Sequence, residues 1–139
     1  MKLTRITKRA KGMTLLELTV VILVLLSLIS ILFVGARAWK KGSDRAASVL
    51  TIRNVQQAVR SYQNMNNVSE GSTLATDISG PIFGSGDFIE VPPTHPVSGL
   101  SYQYSGVIPP IGTLFTSSTG TPTNGGTAAD YAPTAYQDW

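Results

Sequence analysis

Few residues of this 139-residue chain could do chemistry, and the first of them sits in an unusual place. Glu17 follows Lys11, Gly12, Met13 and Thr14 and opens a run over residues 18–36 whose only polar side chains are Thr19, Ser27 and Ser30. A charge at mid-bilayer costs about 2.5–3.5 kcal/mol on insertion scales. Near a helix end, where it can reach water, it costs less, but it still asks for a cation. Cutting the chain just before Met13 would create one, a free α-amino group. In a bundle of parallel helices, the carboxylate of one subunit could then neutralise the amino terminus of its neighbour. Elsewhere the chemistry is thin. His95 is the single histidine and stands between Thr94 and Pro96 in a proline-rich loop, where it reads as a surface residue. No Ser/His/Asp spacing, phosphate-binding glycine loop or metal cluster stands out. Cysteine is absent, which excludes a thiolate nucleophile, a disulfide and a zinc–thiolate site. The expectation is charge pairing without catalysis, so no enzyme.

The elements that must position Glu17 are legible from composition. Lys2, Arg5, Lys8, Arg9 and Lys11 make residues 1–12 a basic leader without an acid. From residue 13 onward there are six basic and eight acidic residues, so 6 − 8 gives −2 and the formal +3 belongs to the leader. Nucleic-acid binding is therefore not implied. A short basic segment before an apolar span tends to stay on the cytoplasmic side. Residues 13–34 number 22, against roughly 20 needed to cross a bilayer, which marks residues 13–36 as a transmembrane helix. Arg37, Lys40 and Lys41, with Trp39 among them, are the expected anchors at the far membrane interface. Over residues 37–67 the helix continues in amphipathic form. Ala46, Val49, Ile52, Val55, Val59 and Tyr62 recur every three or four residues on one face, while Arg45, Arg53, Gln56, Gln57 and Arg60 fall mostly elsewhere. Gly35 and Gly42, each about 1 kcal/mol less favourable than Ala in a helix, are the expected sites of bending or local melting. Residues 68–139 read as a small, loop-rich headpiece. Short strands are expected over 88–93 and 100–106. An edge strand or loop interrupted by Pro109 and Pro110 is expected over 106–115, and a flexible polar loop over 116–130. The three aromatics of the tail should pack back onto the headpiece. The fold class is α+β: a long N-terminal helix packed on a small antiparallel β headpiece with extended loops.

The N-terminal segment resembles the type IV pilin-like proteins, the type IV pilins and the pseudopilins of type II secretion. Lys11, Gly12, Met13, the sequence TLLEL at residues 14–18 and the apolar run to Val34 carry the resemblance. It implies cleavage after Gly12 by a prepilin peptidase, N-methylation of Met13, and Glu17 as the assembly glutamate. A glycine before the scissile bond offers no side chain to clash in a protease site. The close match covers about residues 8–36 and extends loosely along the amphipathic helix. The stretch HPVSGLSYQY at residues 95–104 is similar to a Pro-x-x-Gly-x-x-Tyr-x-Tyr pattern of pseudopilin headpieces. It tilts the reading toward that branch.

Three departures accompany it. Methionine takes the first mature position, where phenylalanine is commoner. Val34, beside Gly35, stands where many members carry a kinking proline. The C-terminal disulfide of many type IV pilins cannot form. The resemblance also brings in calcium, which major pseudopilins often bind. Asp77, Asp87, Glu90, Asp130 and Asp138 could offer oxygen ligands but lack EF-hand spacing, so they read as solvated loop acids and no cofactor is expected. The implied partners are other copies in a filament, minor pilins, the prepilin peptidase, an inner-membrane assembly platform and lipid. The implied location is the bacterial inner membrane in a single pass, N-terminus cytoplasmic and headpiece outside, and then the filament. Two alternatives stand beside the pseudopilin reading. One is a type IV pilus subunit serving adhesion, motility or DNA uptake. The other is a secreted soluble protein cleaved after Ala38, although residues 13–34 exceed the usual 7–15-residue signal core.

Overall fold

The computed structural model describes residues 12, 14–74 and 80–139. Its order is a helix α1 (Leu15–Asn66), strands β1 (Leu100–Tyr104) and β2 (Thr116–Gly120), and a 3-10 turn (Ala128–Tyr131). The chain divides into two compact units, Met1–Ala38 and Trp39–Trp139.

In the first unit, α1 is apolar on every side, and by length and composition it can cross a membrane. Its large side chains are all exposed, from 46% for Val21 to 83% for Leu15. The polar interruptions are closed within the helix. Thr19 Oγ1 donates to the Leu16 carbonyl at 2.9 Å, Ser27 Oγ to Val24 at 2.7 Å and Ser30 Oγ to Leu26 at 2.8 Å. Such back-bonding satisfies hydroxyls where no water is available.

In the second unit, α1 becomes one wall of a core. Ile52, Val55, Ala58 and Val59 are buried. Val55, Ala58 and Val59 pack with Leu74, Ile82, Phe83, Ile108 and Phe115. A second cluster joins Val97, Leu100 and Tyr131. Strand β1 spans both clusters. Leu100 belongs to one, and Tyr104 stacks on Phe83 at 4.8 Å in the other. The helix ends at Asn67, whose positive φ of 51° lets the Val68 amide donate to the Gln63 carbonyl at 3.1 Å. That is a Schellman closure, and Val68 then turns onto the core.

Strands β1 and β2 pair antiparallel, with Leu100 opposite Gly120 and Tyr104 opposite Thr116. Residues 116–120 are thus a strand, where the serine- and threonine-rich composition suggested a flexible loop. The β1 ladder recruits them, and of the five only Thr116 is buried. Residues 88–93, expected as a strand, form a single bridge between Ile89 and Phe83. Pro92 and Pro93, lacking amide hydrogens, cannot extend it. Val107 bridges Thr73 just before Pro109 and Pro110. Gly99 and Gly120 lie at the open end of the β1–β2 pair, with φ of 85° and 112°. A Cβ on Gly99 would collide with the Thr121 carbonyl, and one on Gly120 with the Gly99 carbonyl.

The core face predicted on the helix is rotated from the observed one. Ile52, Val55 and Val59 are buried, but Ala46 is exposed and Val49 only half-buried. Ser48 and Gln56 are buried instead, because hydrogen bonds from other segments reach them.

Candidate functional site

Thr14 and Glu17 build the start of α1 together. The Thr14 amide donates to Glu17 Oε2 at 2.9 Å, and the Glu17 amide donates to Thr14 Oγ1 at 3.2 Å. This is a reciprocal capping box, Thr-x-x-Glu, which satisfies two amides that a helix start leaves open. The helix dipole favours a negative charge at the same place. Glu17 therefore has a partner inside its own chain. The sequence signal for the cap is the Thr-x-x-Glu spacing of TLLE at residues 14–17. One carboxylate oxygen remains: among the described residues, no hydrogen bond reaches Glu17 Oε1.

Gly12 is exposed, and a Cβ there would meet nothing within 4 Å. Met13 lies outside the described residues, as do residues 1–11 of the basic leader. Helix α1 runs unbroken through Gly35 and Gly42, both of which face open space. In the first unit the Arg37 guanidinium sits 5.7 Å over the Phe33 ring. In the second, Trp39 is 79% exposed, Lys40 pairs with Asp44 at 3.6 Å, and Lys41 pairs with Asp130 at 3.9 Å.

No family model, curated protein or solved structure matches the chain. The functional reading therefore rests on the arrangement of its residues.

Of the acids considered as calcium ligands, Asp87, Glu90, Asp130 and Asp138 do not converge on one site. Among the described residues, no three carboxylates or histidines form a cluster able to hold a metal. Asp77 lies outside those residues. Asp130 already accepts the Thr127 amide at 2.9 Å and pairs with Lys41.

His95 is half-buried, not a free surface residue. Its Nε2 lies 3.3 Å from Ser48 Oγ, and Tyr102 donates to the same oxygen at 3.3 Å. The ring packs on Tyr102 at 4.8 Å and edge-on against Tyr131 at 5.7 Å. The Val97 amide donates to Nδ1 at 3.1 Å, which requires a lone pair there. A nucleophile–base pair has the opposite polarity, with Nδ1–H held by a carboxylate. Ser48 is moreover fully buried. The arrangement ties helix to hairpin. Burial holds the His95 pKa below its ordinary value, with the Asp44 carboxylate pulling the other way.

Gln56 makes the other tie. Its side-chain amide donates to the Thr113 carbonyl at 3.2 Å, and its oxygen accepts the Phe115 amide at 2.9 Å. It thereby fixes the strand that composition could not reveal.

Proposed function

We propose that the chain is a structural subunit of a membrane-anchored helical filament of the type IV pilin-like kind, in the type II secretion pseudopilin branch. The carrying observation is the apolar half of α1, exposed on all sides and begun by a charged capping box directly behind Gly12. An apolar surface of that extent needs lipid or other copies around it. The precursor waits in the bacterial inner membrane with its basic leader cytoplasmic. A prepilin peptidase cuts after Gly12 and methylates Met13, and an assembly platform moves the subunit into the fibre, where minor pilins accompany it.

The capping box refines the role of Glu17 in this reading. The Met13–Thr14 peptide bond survives the cut, so the Thr14 amide and the cap survive with it. Glu17 Oε2 stays on its own helix while Oε1 faces a neighbour's amino terminus. A one-turn slip would leave that charge unpaired among apolar side chains, so the pair sets register more than it adds stability. The role is structural and not catalytic.

Intact mass of the protein extracted from membranes tests this. Loss of residues 1–12 together with one added methyl group is expected. An uncut chain, or one cut after Ala38, would remove the proposal.

A further inference from the structure

Charge on this chain is sorted by position. All six basic residues after Met13, from Arg37 to Arg60, lie on α1, whereas six of the eight acids follow it, beginning at Glu70. Several are paired internally: Lys41 with Asp130, and Arg60 with Glu70 at 3.8 Å. Among the described residues, Arg45, Asp87 and Glu90 have no opposite charge within ion-pair distance.

Arg45 stands beside an open groove of about 420 Å³ formed by Ala46, Val49, Leu50, Arg53 and Trp139. Leu50 is 59% exposed there. The loop over residues 87–91 has the opposite pattern. Phe88 and Val91, 40% and 72% exposed, are interleaved with Asp87 and Glu90. An apolar groove rimmed by arginine faces, in chemical terms, apolar side chains flanked by carboxylates.

The two surfaces cannot meet within one chain. Phe88 packs edge-on against Tyr62 at 6.2 Å. Tyr62 is 62 − 46 = 16 residues along α1 from Ala46, which is about 24 Å along the axis and about 160° around it. Contact between copies through two different patches is heterologous, and its repetition gives an open polymer wherever the rotation does not close into a ring.

We propose that the groove beside Arg45 receives the 87–91 loop of a second copy, with Arg45 facing Glu90. This rests on the filament reading and deepens it by naming a headpiece contact. Because the chain has no cysteine, cross-linking can be site-specific. The full-length chain carrying both Leu50→Cys and Val91→Cys is expected to give a ladder of dimers, trimers and larger species on oxidation in membranes. In that background, Arg45→Glu or Glu90→Arg should lower the ladder yield about tenfold, and the two together should restore it. Dimers formed by Leu50→Cys alone would place a two-fold pair in the groove and overturn the proposal. So would charge reversals that fail to rescue each other. Electron microscopy of the same cells separates the two readings. Filaments without a ladder overturn this contact and leave the filament reading standing. A ladder without filaments does the reverse, and neither product overturns both.

Discussion

One helix serves two regions under opposite rules. Before Trp39, α1 closes its hydroxyls and its first turn on itself. Its hydroxyls bond to its own carbonyls, its first amides are capped by Thr14 and Glu17, and its apolar side chains have no cover. After Trp39 the same helix is committed elsewhere. Ile52, Val55 and Val59 are fully buried, and Gln56 and Ser48 bond to residues in the hairpin region. A self-satisfied segment can exchange lipid for neighbouring helices with little change in its own energy. A segment whose polar groups are shared with loops cannot leave them without orphaning both partners.

The largest predicted effects test that commitment. Phe83→Ala and Tyr131→Ala each remove a fully enclosed ring and should cost about 3–5 kcal/mol of headpiece stability. Hydrogen exchange on the detergent-solubilised full chain would report it. Leu25→Ala, in the exposed half, should leave the same amides unchanged. Equal loss of protection from all three variants would abolish the distinction between the regions. Next in size is Gln56→Leu, which strands the Phe115 amide and the Thr113 carbonyl. A cost of about 1–3 kcal/mol is expected, with faster exchange at Phe115. Gln57→Leu, on the exposed side, should be close to neutral and serves as the comparison.

The capping box allows the two duties of Glu17 to be separated. Glutamine fits the third helical position of such a box, so Glu17→Gln should keep the helix start ordered while removing the charge. Under the proposed function it is processed normally but enters filaments poorly. Thr14→Ala does the converse, fraying the first turn by about 1 kcal/mol while leaving the carboxylate in place. Filaments from Glu17→Gln at wild-type yield would show that the cap, and not the charge, explains the acid.

The long helix, its end near residue 66 and the β1 strand were legible because periodicity and β-branched or aromatic content report them directly. The docking of the tail was legible too. Tyr131 is buried, and Arg53 lies 5.2 Å over the Trp139 ring. What escaped was whatever depends on a distant partner. Strand β2 carries no apolar alternation and exists through its ladder with β1 and the Gln56 contact beside it. Ser48 and Gln56 look like solvent-facing residues until the hairpin that bonds to them is in place. Ala46 and Val49 match a core pattern, but they line an open groove, where Ala46 is exposed and Val49 half-buried. At the candidate site the charge of Glu17 was plain, whereas the cap was local, visible in TLLE and overlooked.

The smallest expected effect is a pH dependence confined to the committed region. In the folded chain His95 has its pKa lowered, mainly by burial, with Asp44 opposing. The unfolded ring titrates near its ordinary value of about 6.5. As pH falls through that value, the unfolded state takes up a proton before the folded state does. Stability therefore rises with pH across this window and is lost on acidification toward the lowered folded pKa. Protonation also costs a contact, because an imidazolium cannot accept the Val97 amide at Nδ1. His95→Asn offers a side-chain oxygen in place of Nδ1 and does not titrate. Denaturant midpoints of the full chain at pH 7.5 and pH 5 should then diverge more for wild type than for His95→Asn. Carboxylates shared by both proteins cancel in that comparison. Identical shifts in the two would show that the His95 cluster holds the helix to the hairpin without sensing protons.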